Sequence, residues 1–181
     1  MPTSPTAKAM TASLAGVILR DLLALRRQLL AYPEEQAIWL LPPGLPNIAG
    51  TLTLHLAGNL RHFIGAVLGK TGYVRERELE FSRRDVPRAE LLAEVDRTVS
   101  EIGPVLESLD PATLGQPFPV RFTDVRVDTG DFLVHLSAHL AYHIGQVDYH
   151  RRLVTGDPTP AGAMTIAELR SARPSGEMKT L

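Results

Sequence analysis

His135, His139 and His143 recur at four-residue intervals, and Gln146 and His150 continue the series. On a helix that turns about 100° per residue, these five side chains fall within roughly 80° of arc and share one face. Leu133, Leu136 and Leu140 lie to one side of that stripe, which turns the histidines inward or toward a groove. A second series, His55, Asn59 and His62, is spaced i, i+4, i+7 and is flanked by Leu52, Leu56, Leu60 and Ile64. Imidazoles four residues apart are separated by about 6 Å of helical rise and can converge on one ion at about 2.0 to 2.1 Å. A third ligand from a facing helix would complete such a site and leave room for water or substrate. A lone helical histidine is more often a surface or hydrogen-bonded core residue, and one HxxxH can arise by chance among six histidines. Two histidine-bearing faces in one chain favour the metal reading, because bundle interiors build such sites from facing helices.

Four helical segments must position these stripes. The first runs from about Thr6 to Ala31, with Leu14, Val17, Ile18, Leu22, Leu25 and Leu29 at helical spacing. After a loop containing PPGLPN, Asn47 is placed to cap a second helix from about Ile48 to Leu68, stopped by Gly69 and Gly72. A polar strip, GYVRERELEFSRRDVP, leads to Pro87 and a third helix reaching about Leu109, with Leu91, Leu92, Val95, Val99, Ile102 and Leu106 as its apolar face. Residues 117–127 alternate apolar and polar side chains and predict a short extended excursion or hairpin. Asp128 or Thr129 then caps a fourth helix ending near Val154, before Gly156 and Pro158, and a weak helical turn covers Ile166 to Leu169. The expected fold is all-α: a four-helix bundle with a long connection between helices three and four. Residues 1–181 read as a single domain whose tail after about Arg173 is flexible.

Composition narrows the function classes. The 44% hydrophobic content supplies a core for one domain. The chain holds 19 Lys+Arg against 20 Asp+Glu, so it has no general attraction for phosphate backbones or anionic lipid. Nucleic acid and membrane are therefore not expected partners. Residues 36–60 carry no charged side chain, but Pro42, Pro43, Gly44, Pro46, Asn47 and Gly50 break them before a membrane-spanning length is reached. The apolar run after Lys8 continues into Arg20, Asp21, Arg26 and Arg27 and reads as helix, not as an export signal. The absence of cysteine excludes disulfides and cysteine-ligated metals, and fits a cytoplasmic setting.

HLSAHLAYHIGQ resembles the last-helix signature of the DinB-like superfamily of metal-binding four-helix proteins, in which an HxxxH is followed closely by Gly-Gln. HLAGNLRHFI and the later RERELEF resemble the second-helix and post-helix segments of one branch of that superfamily. The resemblance implies that His55, His139 and His143 bind one divalent metal: zinc by default, with nickel or iron equally suited to imidazole. Ile144 stands where the family often has Arg, which removes a charged contact to substrate without touching the ligands. His135, one turn before the pair, is read as an orienting or pocket-lining group, with general base as its candidate catalytic role. Asn59 and Gln146 are candidates for orienting a ligand or contacting a cofactor. His62 and His150 are too far along their helices to coordinate, and His150, Arg151 and Arg152 read as cations at a helix C-terminus. Gly145 is expected to permit close helix approach, and Arg75, Arg77, Glu78 and Glu80 to form a loop-tying ion-pair cluster.

Three neutral imidazoles leave the ion its full charge and an open position. Two enzyme readings follow. In the one the resemblance implies, the metal binds the sulfur of a low-molecular-weight thiol such as glutathione, mycothiol or bacillithiol for transfer to, or isomerisation of, a small-molecule substrate. In the other it activates water for hydrolysis. The histidine stripe shows no partner carboxylate and no HExxH, which places the thiol-dependent enzyme ahead of the hydrolase. A non-catalytic metal-binding or stress protein is the third reading, and a two-fold homodimer through the first helix and the region of Phe118 and Phe122 is the expected assembly.

Overall fold

The structure is a computed structural model describing residues 5–174; most of the tail expected to be flexible lies outside the described residues. It is all-helical, and no strand occurs among the described residues. Helix α1 spans Pro5–Leu30, α2 Ala49–Leu60, α3 Arg77–Ser82, α4 Arg88–Ser108 and α5 Thr129–Thr155. Helix α1 packs on α4 and α5, and α2 packs on α3, α4 and α5. The periodicity of α1 is the cause of its placement: Ile18, Leu22, Leu25 and Leu29 are fully buried, while Leu23 and Leu30 on the opposite side remain exposed. Each buried aliphatic side chain of this kind is worth about 1.5 to 3 kcal/mol of transfer free energy.

Helix α2 begins differently from expectation. Asn47 does not cap it; the chain enters through Ile48, whose backbone N–H donates to Thr51 Oγ1 at 3.3 Å. Past Leu60 the helix continues over Arg61–Leu68 in wider π-type turns, with Gly69 N donating to Ile64 O at 2.9 Å. Arg61, at this junction, bridges to Glu94 and Glu101 of α4. The polar strip before Pro87 is not loop throughout, because RELEFS folds into α3; its Arg, Glu and Leu are strong helix formers.

Residues 117–127 form a hairpin-like turn held by isolated bridges, Pro117 with Asp128 and Phe122 with Val125. Phe118 and Phe122 turn onto Phe63 and Phe132; Phe118 is buried and Phe122 half-buried. Helix α5 stops at Gly156, in the left-handed conformation at φ 69°, where glycine avoids the Cβ penalty. No described helix is long and apolar enough to cross a membrane.

Candidate metal centre

His55 sits in the middle of α2 and His139 and His143 are one turn apart on α5, and the packing of α2 on α5 brings the three rings together. Their candidate ligand nitrogens all lie within 4.8 Å of one another. His139 Nε2 is 3.3 Å from His55 Nε2 and 3.1 Å from His143 Nε2. Two nitrogens each about 2.05 Å from one tetrahedral ion are about 3.3 Å apart, so these separations are those of a tetrahedral edge.

The outer nitrogens decide where the protons are. His55 Nδ1 lies 3.0 Å from Glu80 Oε2. Burial acts to raise the Glu80 carboxyl, but hydrogen bonds from Arg75 and then His55 outweigh it and hold the group below its ordinary range. Glu80 is therefore ionised and accepts only, which puts the proton on His55 Nδ1 and the lone pair on Nε2. His143 Nδ1 lies 2.6 Å from Gln146 Oε1; with the amide oxygen as acceptor, His143 also carries its proton on Nδ1. Two Nε2 lone pairs then converge on a third imidazole nitrogen. One proton on His139 Nε2 cannot serve both contacts well, whereas one cation serves all three.

The electrostatics agree. Burial, followed by the neighbouring His143, His55 and His135, lowers the His139 pKa to about 4. Burial also lowers His143, partly opposed by its bond to Gln146. Both rings are neutral near pH 7 and have lone pairs to offer, so a cation need not displace protons from them.

Glu80 is the residue that sequence reasoning missed. No partner carboxylate was legible beside the histidine stripes, yet α3 carries one into contact with His55, where it also takes a two-point grip from Arg75, Nε to Oε1 at 2.7 Å and Nη2 to Oε2 at 2.8 Å. The expected loop-tying cluster is real only in its Arg75–Glu80 pair; Arg77 instead lies over the Phe81 ring at 5.4 Å. The RERELEF segment held the available signal, an arginine and a glutamate five apart on a segment of strong helix formers. Glu80 reaches the histidine across Gly58, where an added Cβ would collide with the carboxylate.

The other candidates separate. His135 is exposed, stacks on Phe132 with centroids 5.8 Å apart, and sits 6.0 Å from the His139 ring, outside the ligand cluster. Asn59 is buried on the wall next to His139, and its Oδ1 has no hydrogen-bond partner among the described residues. His62 packs edge-on to Phe63. His150 is not a solvated cation: it is buried, its Nδ1 is 2.7 Å from Tyr32 Oη, its Nε2 is 2.8 Å from Leu40 O, and burial lowers its pKa. Arg151 is likewise fully buried, bonded to Gln28, Asp148 and the carbonyls of Asp157 and Thr159. Gly145 faces open space and permits no helix approach; the close contacts at glycine fall at Gly50, Gly58 and Gly69 instead, the last against Val105 of α4.

A family model described as the DinB superfamily matches residues 18–147, a span holding all three histidines and Glu80. The chain belongs to the DinB superfamily. Neither the curated proteins nor the solved structures compared with this DinB-superfamily chain gave a match. Membership and the histidine cluster together fit a metal-binding protein.

Proposed function

We propose that His55, His139 and His143 hold one divalent ion, zinc by default, in a four-helix bundle, and that the protein is an enzyme that uses a low-molecular-weight thiol to transfer to or isomerise a small-molecule substrate. The observation that carries the metal is the convergence of three Nε2 atoms, two with their protons assigned to the far side of the ring. When bound, such an ion supplies a positive charge and an open coordination position that favour a thiolate over a thiol. The chain's own residues do the orienting. Glu80 and Arg75 fix the His55 ring, Gln146 fixes the His143 ring, and neutral imidazoles leave the charge of the ion uncancelled.

Preference for a thiol over water rests on the carboxylate. Glu80, the acid nearest the histidines in the bonding pattern, is already engaged by Arg75 and His55 and is not free to take a proton from water. The chain has no cysteine, so the sulfur would arrive on a small molecule.

Elemental analysis of untagged protein tests the metal. One ion per chain is expected in the parent and in His135→Ala, and none in the triple His55→Ala, His139→Ala, His143→Ala variant. Undiminished metal in the triple variant overturns the ligand set. Addition of glutathione, mycothiol or bacillithiol to cobalt-substituted protein is expected to produce a sulfur-to-cobalt charge-transfer band with one of them; an unchanged spectrum with all three removes the thiol reading and leaves the metal site standing.

A further inference from the structure

A cavity of about 380 Å³ opens beside His139. Its walls come from three segments: Asn59 and Phe63 from α2 and its continuation, Phe122 and Val127 from the hairpin-like turn, and Asp131, Phe132 and His135 from α5. The aromatic walls brace one another, with Phe132 centroids 4.6 Å from Phe122 and 5.0 Å from Phe63, and Phe118 behind them 4.4 Å from Phe132. The volume lies in the range of small-molecule sites and is more than twice that of an engineered apolar cavity that accepts benzene.

The lining selects the ligand. It contains no lysine or arginine to pair with a phosphate or carboxylate, and its one carboxylate, Asp131, disfavours an anion further. What remains is a ligand with an apolar body, and aromatic walls favour a ring that can stack or meet them edge-on. Asn59 adds a polar demand of its own, because it is only 8% exposed and its Oδ1 has no partner among the described residues. A buried carbonyl without a donor is costly, and a ligand N–H or O–H beside it relieves that cost.

We propose that this cavity binds an aromatic compound carrying an N–H or O–H donor, its ring against Phe122 and Phe132 and its donor on Asn59 Oδ1. As the place of the second substrate, the cavity rests on the metal reading above; binding of the ring does not, because no lining contact requires the ion.

Indole and benzofuran, similar in shape but only the first an N–H donor, are the probes. Amide and imidazole chemical shifts are followed during titration of the zinc-loaded and the metal-free protein. Saturable shifts clustered around Phe63, Val127, Phe132 and His135 are expected in both forms, with indole held more tightly than benzofuran. Val127→Glu, in a partly exposed turn, is expected to weaken indole at least about tenfold by placing a charge in the apolar space. Asn59→Leu is expected to abolish the preference for indole. No saturable shift near the cavity, or unchanged affinity in Val127→Glu, overturns the site; equal binding of the two probes by the parent overturns the role of Asn59. Indole binding by a protein that takes up no zinc would uphold the cavity and refute the metal reading, and zinc uptake without indole binding would do the reverse.

Discussion

Glu80 does more for the candidate centre than its position in a charged strip announces. Its contact with His55 fixes which nitrogen faces the other rings, and a carboxylate on the outer nitrogen also raises the basicity of the inner one. Removing such a partner is expected to cost about 10- to 100-fold in metal affinity, so Glu80→Ala should weaken zinc by that factor in chelator competition while His135→Ala leaves it unchanged. Gly58→Ala should show the same sign, because the added methyl occupies the place of the Glu80 carboxylate. Parent-like affinity in both variants would mean that His55 is held by packing alone, for instance by the Phe81 ring 4.8 Å away.

At the scale of elements, the start of α2 is set from outside the helix. The indole of Trp39 lies over Gly50, where an added Cβ would collide with the ring, and its Nε1 donates to Val86 O at 3.1 Å. One side chain thus joins the short helical segment Glu35–Trp39, the first turn of α2 and the approach to α4. Gly50→Ala is expected to push the indole off the helix at a cost of about 1 to 3 kcal/mol, the usual range for overpacking. Trp39 is the sole tryptophan, so its emission should shift to the red and the denaturant midpoint should fall together. An unshifted emission with an unchanged midpoint would show that the helix start adapts without moving the ring. The π-type continuation of α2 matters at the same scale, since Phe63 of the proposed cavity lies on it.

For the whole molecule, the contact of α1 with α5 contains a buried polar set. Tyr32 meets His150, and Gln28 bridges Asp148 and Arg151. Burial lowers the pKa of His150, and also of His139 and His143, whereas unfolded histidines titrate near about 6.5. Below that pH the unfolded chain binds more protons than the folded one, so stability rises with pH. The metal-free protein is expected to keep its full stability above about pH 7 and to lose it progressively as the pH falls through about 6.5 toward 5. Glu80 and Asp148 are lowered below ordinary carboxylate values and contribute only in a more acidic window. Thermal unfolding between pH 7.5 and 5 measures the slope; His150→Phe should flatten it, and a flat parent profile would contradict neutral burial of these rings.

The sequence by itself determined that the chain is helical, because apolar residues at 3.6-residue spacing are a local property of α1, α4 and α5. It also determined which histidines share a face, since spacing along one helix sets angle without reference to anything else. It could not say what covers that face. His135, His139 and His143 are equivalent by spacing; the resemblance singled out the last two, and the packing of α2 on α5 brings those two against His55. His55 and Glu80 are 25 residues apart, and Glu80 sits on a six-residue helix whose direction no periodicity encodes. The same limit hid His150 and Arg151, which their charge placed at a solvated helix end and which Tyr32 just past α1, Gln28 on α1 and Thr159 beyond α5 hold buried. Local pattern fixes angle and element; distance between elements is decided by the packing of the whole core, and the candidate centre depends on distance.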